Sequence, residues 1–166
     1  MTTRGTDGRP DGRGEGSDSI GPVERYTHRI EVRYGETDQM GVVHHANYLL
    51  YLEEARTAFM RASAVPYGDV ERSGVGLPVR SVALRYRNPA LYEDTLRVDV
   101  WIEAVRAASL TFGYEVTCEH RGGGQVVDGP LLIATASVEL ACIDLDSKRP
   151  RTFPDQLARF LGEHGS

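Results

Sequence analysis

Apolar and polar residues alternate from Tyr26 to Tyr34, with His28, Ile30, Val32 and Tyr34 on one side and Thr27, Arg29, Glu31 and Arg33 on the other. A period of two predicts a half-buried strand. A polar stretch follows, and then the period changes. Tyr48, Leu52, Ala55, Phe59 and Ala62 recur at steps of four and three, which places them on one face of a helix predicted from His45 to Ala62. Glu53, Glu54, Arg56 and Arg61 lie mostly off that stripe, and Pro66 bars easy continuation.

Four further alternations come after the helix. Val82, Leu84 and Tyr86 alternate with Ala83, Arg85 and Arg87; "NPALYED" then turns the chain. Leu96, Val98, Val100, Ile102 and Ala104 form the second, and Leu110, Phe112, Tyr114, Val116 and Cys118 the third. After "RGGGQ", whose glycines permit a turn, Ala134, Ala136, Val138, Leu140 and Cys142 form the fourth. Phe153 to Leu161 reads as a short closing helix. Short connections predict antiparallel neighbours. The expected fold is therefore α+β: a curved antiparallel sheet of about five strands around one long helix. Ala134 and Ala136 are small enough to let that helix approach, and pairing with a second copy would cover a sheet edge.

Composition changes this picture mainly at the N-terminus. Residues 1–24 are rich in glycine and mixed charge and poor in apolar side chains, so a disordered tail is expected there and a folded domain over 25–166. The tail's glycines do not make a dinucleotide loop, because Ser17 stands where the third glycine is needed. A chain of 166 residues can bury a real core, and a net charge of -5 argues against a nucleic-acid-binding body. No run of about 18 or more apolar residues is present, so no membrane span is expected, and no secretory signal is evident. Two cysteines, Cys118 and Cys142, fall on apolar strand faces and read as inert core residues of a cytoplasmic protein.

The chemistry concentrates in "GETDQMGVVHHANYLLYLEEAR", from Gly35 to Arg56. This stretch resembles the signature of the hotdog-fold acyl-CoA thioesterases of the 4-hydroxybenzoyl-CoA thioesterase family. "SVALRYRNPALYEDTLRV", "RAASLTFGYEV" and "ATASVELACIDLDSKRP" resemble later segments of that family, in order, so the likeness covers roughly residues 26 to 154. The resemblance implies a hotdog fold, a homodimer or homotetramer with the site at the subunit interface, and hydrolysis of an acyl thioester of coenzyme A without metal or redox cofactor. It implies that Asp38 is nucleophile or general base. It also implies that Gly41 carries the loop back over the site and that the backbone N–H of His45 binds the oxyanion. Such an N–H at a helix start carries the positive end of the helix dipole, and losing one donor of this kind typically costs roughly 3 kcal/mol of barrier lowering. A thiol of pKa about 8.5 leaves readily as thiolate, so neither a strong general acid nor a serine triad is required.

Other residues carry alternatives. Asn47 and Tyr48, in the first helical turns, are candidates for substrate binding; for Asn47 a local hydrogen bond to the loop backbone is an equal alternative. Arg106 and Ser109 match a family stretch that holds coenzyme A, whereas Ala107 and Ala108 depart from it, which leaves room for an acyl carrier protein as the thiol component. His44 and His45 are adjacent and chelate one ion poorly, so no metal site is expected, even with Cys118 and His120 on one strand face. Glu53 reads as a solvated helix acid. A hydratase or dehydratase using His45 with Asp38, and a non-catalytic acyl-CoA sensor, are the competing functional classes.

Overall fold

The computed structural model describes residues 24–124 and 128–164, so the expected disordered tail lies, but for Glu24, outside the described residues. Five strands form one antiparallel sheet: β1 (Tyr26–Glu31), β3 (Val79–Tyr86), β4 (Thr95–Arg106), β5 (Ser109–His120) and β6 (Leu131–Ala141), in the spatial order β1-β4-β5-β6-β3. The long helix α1 (Asn47–Ala62) packs across β1 and β4. Its face is built by Tyr48, Tyr51, Leu52, Ala55, Phe59 and Met60, all buried. Opposite it, Leu96, Val98, Val100 and Ile102 point inward at every second position of β4, as the alternation requires. Helix α3 (Asp155–His164) closes the same core through Leu157, Phe160 and Leu161, with Phe160 edge-on to Phe59 at 5.6 Å. This is the hotdog arrangement expected from the sequence. Among the described residues, no helix is long and apolar enough to cross a membrane.

Several expectations are corrected. The first strand stops at Glu31: Val32 is still buried, but Tyr34 starts a single 3-10 turn (Tyr34–Glu36) and is 78% exposed. A second helix, α2 (Tyr67–Arg72), and a small sheet of β2 (Val75–Gly76) with β7 (Ile143–Asp144) are too short to leave a periodic trace. Arg56 does not lie off the apolar stripe. It is buried, its Nε donates to the Tyr67 hydroxyl at 2.8 Å, and its Nη1 donates to Tyr114 at 3.2 Å. Burial, against the pull of this guanidinium, pushes the Tyr114 hydroxyl up to about 12.

The largest correction concerns β3. It does not pair with β4, its successor in sequence, but crosses to the far edge and pairs with β6. Helix α1 packs mainly over β1 and β4; of the two small residues of β6, Ala134 is fully buried in the core it shares with α1, and Ala136 is only partly buried. The apolar face read for β3 is correspondingly open: Val82 is 40% and Tyr86 50% exposed. The protein therefore presents an unpaired strand edge beside an uncovered apolar strip.

Candidate active site

The segment from Arg33 to Ala46 is fixed almost wholly by its own hydrogen bonds. Asp38 N donates to Val42 O at 2.8 Å and Gly41 N to Asp38 O at 2.9 Å, which closes a tight turn. Gly41 sits at φ 77°, a left-handed conformation that glycine adopts without strain. Asp38 Oδ1 accepts Met40 N at 2.8 Å, while its second carboxylate oxygen has no partner among the described residues. Glu36 anchors the turn's base. Its carbonyl accepts His44 N at 2.8 Å and Asn47 Nδ2 at 2.6 Å, and its carboxylate accepts Tyr51 Oη at 2.7 Å. Burial and this carboxylate drive the Tyr51 hydroxyl well above the usual phenol range.

Helix α1 begins without a side-chain cap at Ala46 and without an acid in its first turn. The neighbouring amides are satisfied: Ala46 N donates to His44 Nδ1 at 3.2 Å and Asn47 N to His44 O at 2.9 Å. The N–H of His45 finds no acceptor among the described residues. An uncapped helix start with one free N–H is electrically open to an anion.

Both features meet in one cavity of about 340 Å³, lined by Asp38, His45, Tyr48, Tyr86 and Pro89 with Met40, Val42, Val43, Arg87 and Asn88. Its size suits a small acyl group. The lining is mostly apolar, with Asp38 the single acid.

Asp38, His45 and Tyr48 thus line one cavity, and Gly41 lies outside it, bonded to Asp38 within the turn. Asn47 does not line the cavity; its side chain makes the local bond to the Glu36 carbonyl. Arg106 and Ser109 are far off. Tyr86, Ala134, Val116 and Val98 form one row across the sheet, and Arg106 lies eight residues beyond Val98, about 26 Å along the strand. Ser109 is buried. His44 and His45 are exposed, with ring centroids 4.1 Å apart, and no cluster of three or more potential metal ligands occurs among the described residues. Glu53 is solvated and Cys118 and Cys142 are buried, as expected. The sequence pattern puts Tyr86 on the apolar face of its strand and Arg87 on the opposite face, as a solvated charge that could reach phosphate only as a surface point charge. The Tyr86 hydroxyl instead donates to the His45 carbonyl at 3.0 Å, and both residues line the cavity. Only the crossing of β3 to the far edge reveals this.

Comparison with known proteins identifies the family. A family model described as the thioesterase-like superfamily matches residues 32–161. YneP of Bacillus subtilis, by name a candidate acyl-CoA thioesterase, is 37% identical over 130 residues, covering 76% of this chain and 88% of that protein. The acyl-CoA thioesterase YbgC of Haemophilus influenzae is 30% identical over 129 residues, covering 77% and 88%. Among solved structures, the DHNA-CoA thioesterase of Staphylococcus aureus superposes with a TM-score of 0.70 at 30% identity, covering 86% of this chain and 95% of that one. An acid before an uncapped helix in a hotdog fold, and a family match over most of the chain, lead to one statement: the chain belongs to the thioesterase-like superfamily.

Proposed function

We propose that this thioester hydrolase acts on an acyl thioester of coenzyme A, with Asp38 as nucleophile or general base and the His45 N–H as oxyanion donor. The observation that carries this reading is that one cavity is lined by both Asp38, whose carboxylate has one oxygen without a partner among the described residues, and His45, the residue before the N-cap of α1, whose N–H has no acceptor among them. Attack on the carbonyl carbon moves charge onto the carbonyl oxygen, where the N–H and the helix dipole stabilise it. With Asp38 as general base, water is the attacking nucleophile, and collapse expels the thiolate and leaves the free acid. With Asp38 as nucleophile, collapse expels the thiolate and leaves an acyl–Asp38 anhydride, which water hydrolyses to the free acid and the regenerated carboxylate. The chemistry needs no metal and no redox cofactor, coenzyme A entering only as part of the substrate. The names of YneP and YbgC support a coenzyme A thioester over a carrier-bound one.

The active form is proposed to be a homodimer or homotetramer of a cytoplasmic protein. The open edge of β3 and the exposed Val79 and Val82 support pairing with a second copy. Antiparallel pairing there reverses strand direction, so the partner copy's β4–β5 hairpin would approach this site. That is how Arg106 would serve the substrate.

The test is release of free thiol from acyl-CoAs of varied length and aromaticity, with matched acyl carrier protein thioesters and enoyl-CoAs alongside. Thiol release from coenzyme A esters is expected. Release only from carrier protein would move the reading to chain release, and a change in enoyl absorbance without thiol would make the enzyme a hydratase.

A further inference from the structure

Asn88 and Pro89, which line the cavity, begin a segment that runs to Asp94, and an ion pair that touches neither Asp38 nor His45 holds it. Asp94 is fully buried. Its Oδ2 accepts Leu91 N at 2.8 Å and Arg121 Nη1 at 2.8 Å, and its Oδ1 accepts Gly122 N at 2.9 Å. Arg121 Nη1 also donates to the Pro89 carbonyl at 3.1 Å. The fit allows no slack: a Cβ on Gly122 would lie 2.1 Å from the Tyr92 carbonyl oxygen. On its other side Asp94 is tied to the end of β1, its carbonyl accepting Val32 N at 2.9 Å.

This clasp bears on the site through the residues between its two anchors. The Ala90 carbonyl accepts Val43 N at 2.8 Å, Leu91 bridges to Val42, and Ala90 N reaches the Tyr48 hydroxyl at 3.4 Å. Val42 and Val43 lie between Asp38 and His45. Apart from the Tyr86 hydroxyl on the His45 carbonyl, the other bonds of that loop are internal to residues 33–51, so its backbone leans on the β3–β4 connection at Ala90 and Leu91. An ion pair whose acid is fully buried and whose Arg121 side chain is only 15% exposed is seldom a net gain over apolar residues of the same size. Its presence calls for a positional role.

We propose that Arg121 is a positioning residue of this enzyme. With Asp94 it clasps the 88–94 segment so that Pro89 and Ala90 hold the Asp38–His45 loop in register with the cavity. The proposal rests on the reading of this cavity as the active site.

The test separates stability from position. Arg121→Met leaves the Asp94 carboxylate buried without its cation, so both Tm and activity should fall. The double variant Asp94→Asn with Arg121→Met removes both charges and still breaks the tie to Pro89. For that protein Tm should recover part of what Arg121→Met loses, because the Asn amide oxygen still accepts one of the Leu91 and Gly122 amides while its NH2 group faces the other. Its kcat should stay at least tenfold low with KM within twofold, and the Val43 amide should exchange at least tenfold faster while Val98 and Val116 keep their protection. Recovery of kcat together with Tm, or unchanged exchange at Val43, overturns the proposal. If wild-type protein releases no thiol from any thioester, the active-site reading fails instead, and exchange at Val43 still decides whether the clasp holds the loop.

Discussion

Gly41→Ala isolates the contribution of one backbone angle to the site. A Cβ at Gly41 meets nothing within 4 Å, so the substitution creates no clash, and its whole effect comes from holding alanine at φ 77°. That conformation costs an L-residue about 1–2 kcal/mol. The loop feels this strain in full whenever it holds Asp38 over the cavity. A relaxed loop is then favoured by a factor of about 5–30, and kcat/KM should fall by up to that factor. Global stability feels less. Alanine also restricts the unfolded chain, which returns about 0.4–1 kcal/mol, and for a chain of this size each kcal/mol moves Tm by about 2–4 °C. Activity should therefore drop several-fold while Tm falls by no more than about 6 °C. Gly35→Ala is the control, because its Cβ is equally free and its φ lies outside the left-handed range. Thiol-release kinetics and thermal melts on the three proteins read the result. Wild-type kcat/KM in Gly41→Ala, or an equal loss in Gly35→Ala, refutes the reasoning.

Three other outcomes are expected. Tyr86→Phe removes the donor to the His45 carbonyl; a net hydrogen bond of about 0.5–1.5 kcal/mol corresponds to a roughly two- to tenfold loss in kcat, measured at saturating substrate. At alkaline pH the protein should lose stability. Burial raises the Cys118 thiol from the ordinary 9.0 to about 11 and also raises Tyr51, Tyr67 and Tyr114, so between these values the unfolded chain has released protons that the folded one retains. Stability is thus full below pH 9 and declines as pH rises through 11, and Cys118→Ala should flatten the first part of that decline in Tm-versus-pH curves. Val82→Arg places a charge on the open β3 face, and sedimentation velocity should show dissociation to monomers with loss of activity.

The extent to which the sequence revealed this protein follows from the range of the forces involved. The α1 stripe and the β4 and β5 alternations are local, and each was legible from neighbouring residues; the Asp38–Gly41–His45 spacing took its meaning from the family resemblance alone. What was not legible depended on which strand lies beside which. Nothing in "SVALRYRNPALYED" says that Tyr86 leaves its sequence neighbours for the far edge and ends against His45. Asp94 and Arg121 looked like turn residues because their partnership spans 27 positions. Arg56 was misplaced for a related reason: a charged side chain reads as solvated until two distant phenols, Tyr67 and Tyr114, are known to surround it. Asn47 is the opposite case, since its partner, the Glu36 carbonyl, lies close by and a local bond was already one of the two readings.

The central claim is that the Asp38 carboxylate does the chemistry in this cavity. Asp38→Asn tests it most directly, because the amide oxygen can still accept Met40 N and the turn should survive intact. A positioned acid–base group contributes about 10²–10⁴ in rate. Single-turnover thiol release from the best acyl-CoA should therefore slow at least about a hundredfold at unchanged Tm. A rate within about tenfold of wild type, in a protein that melts normally, contradicts the account.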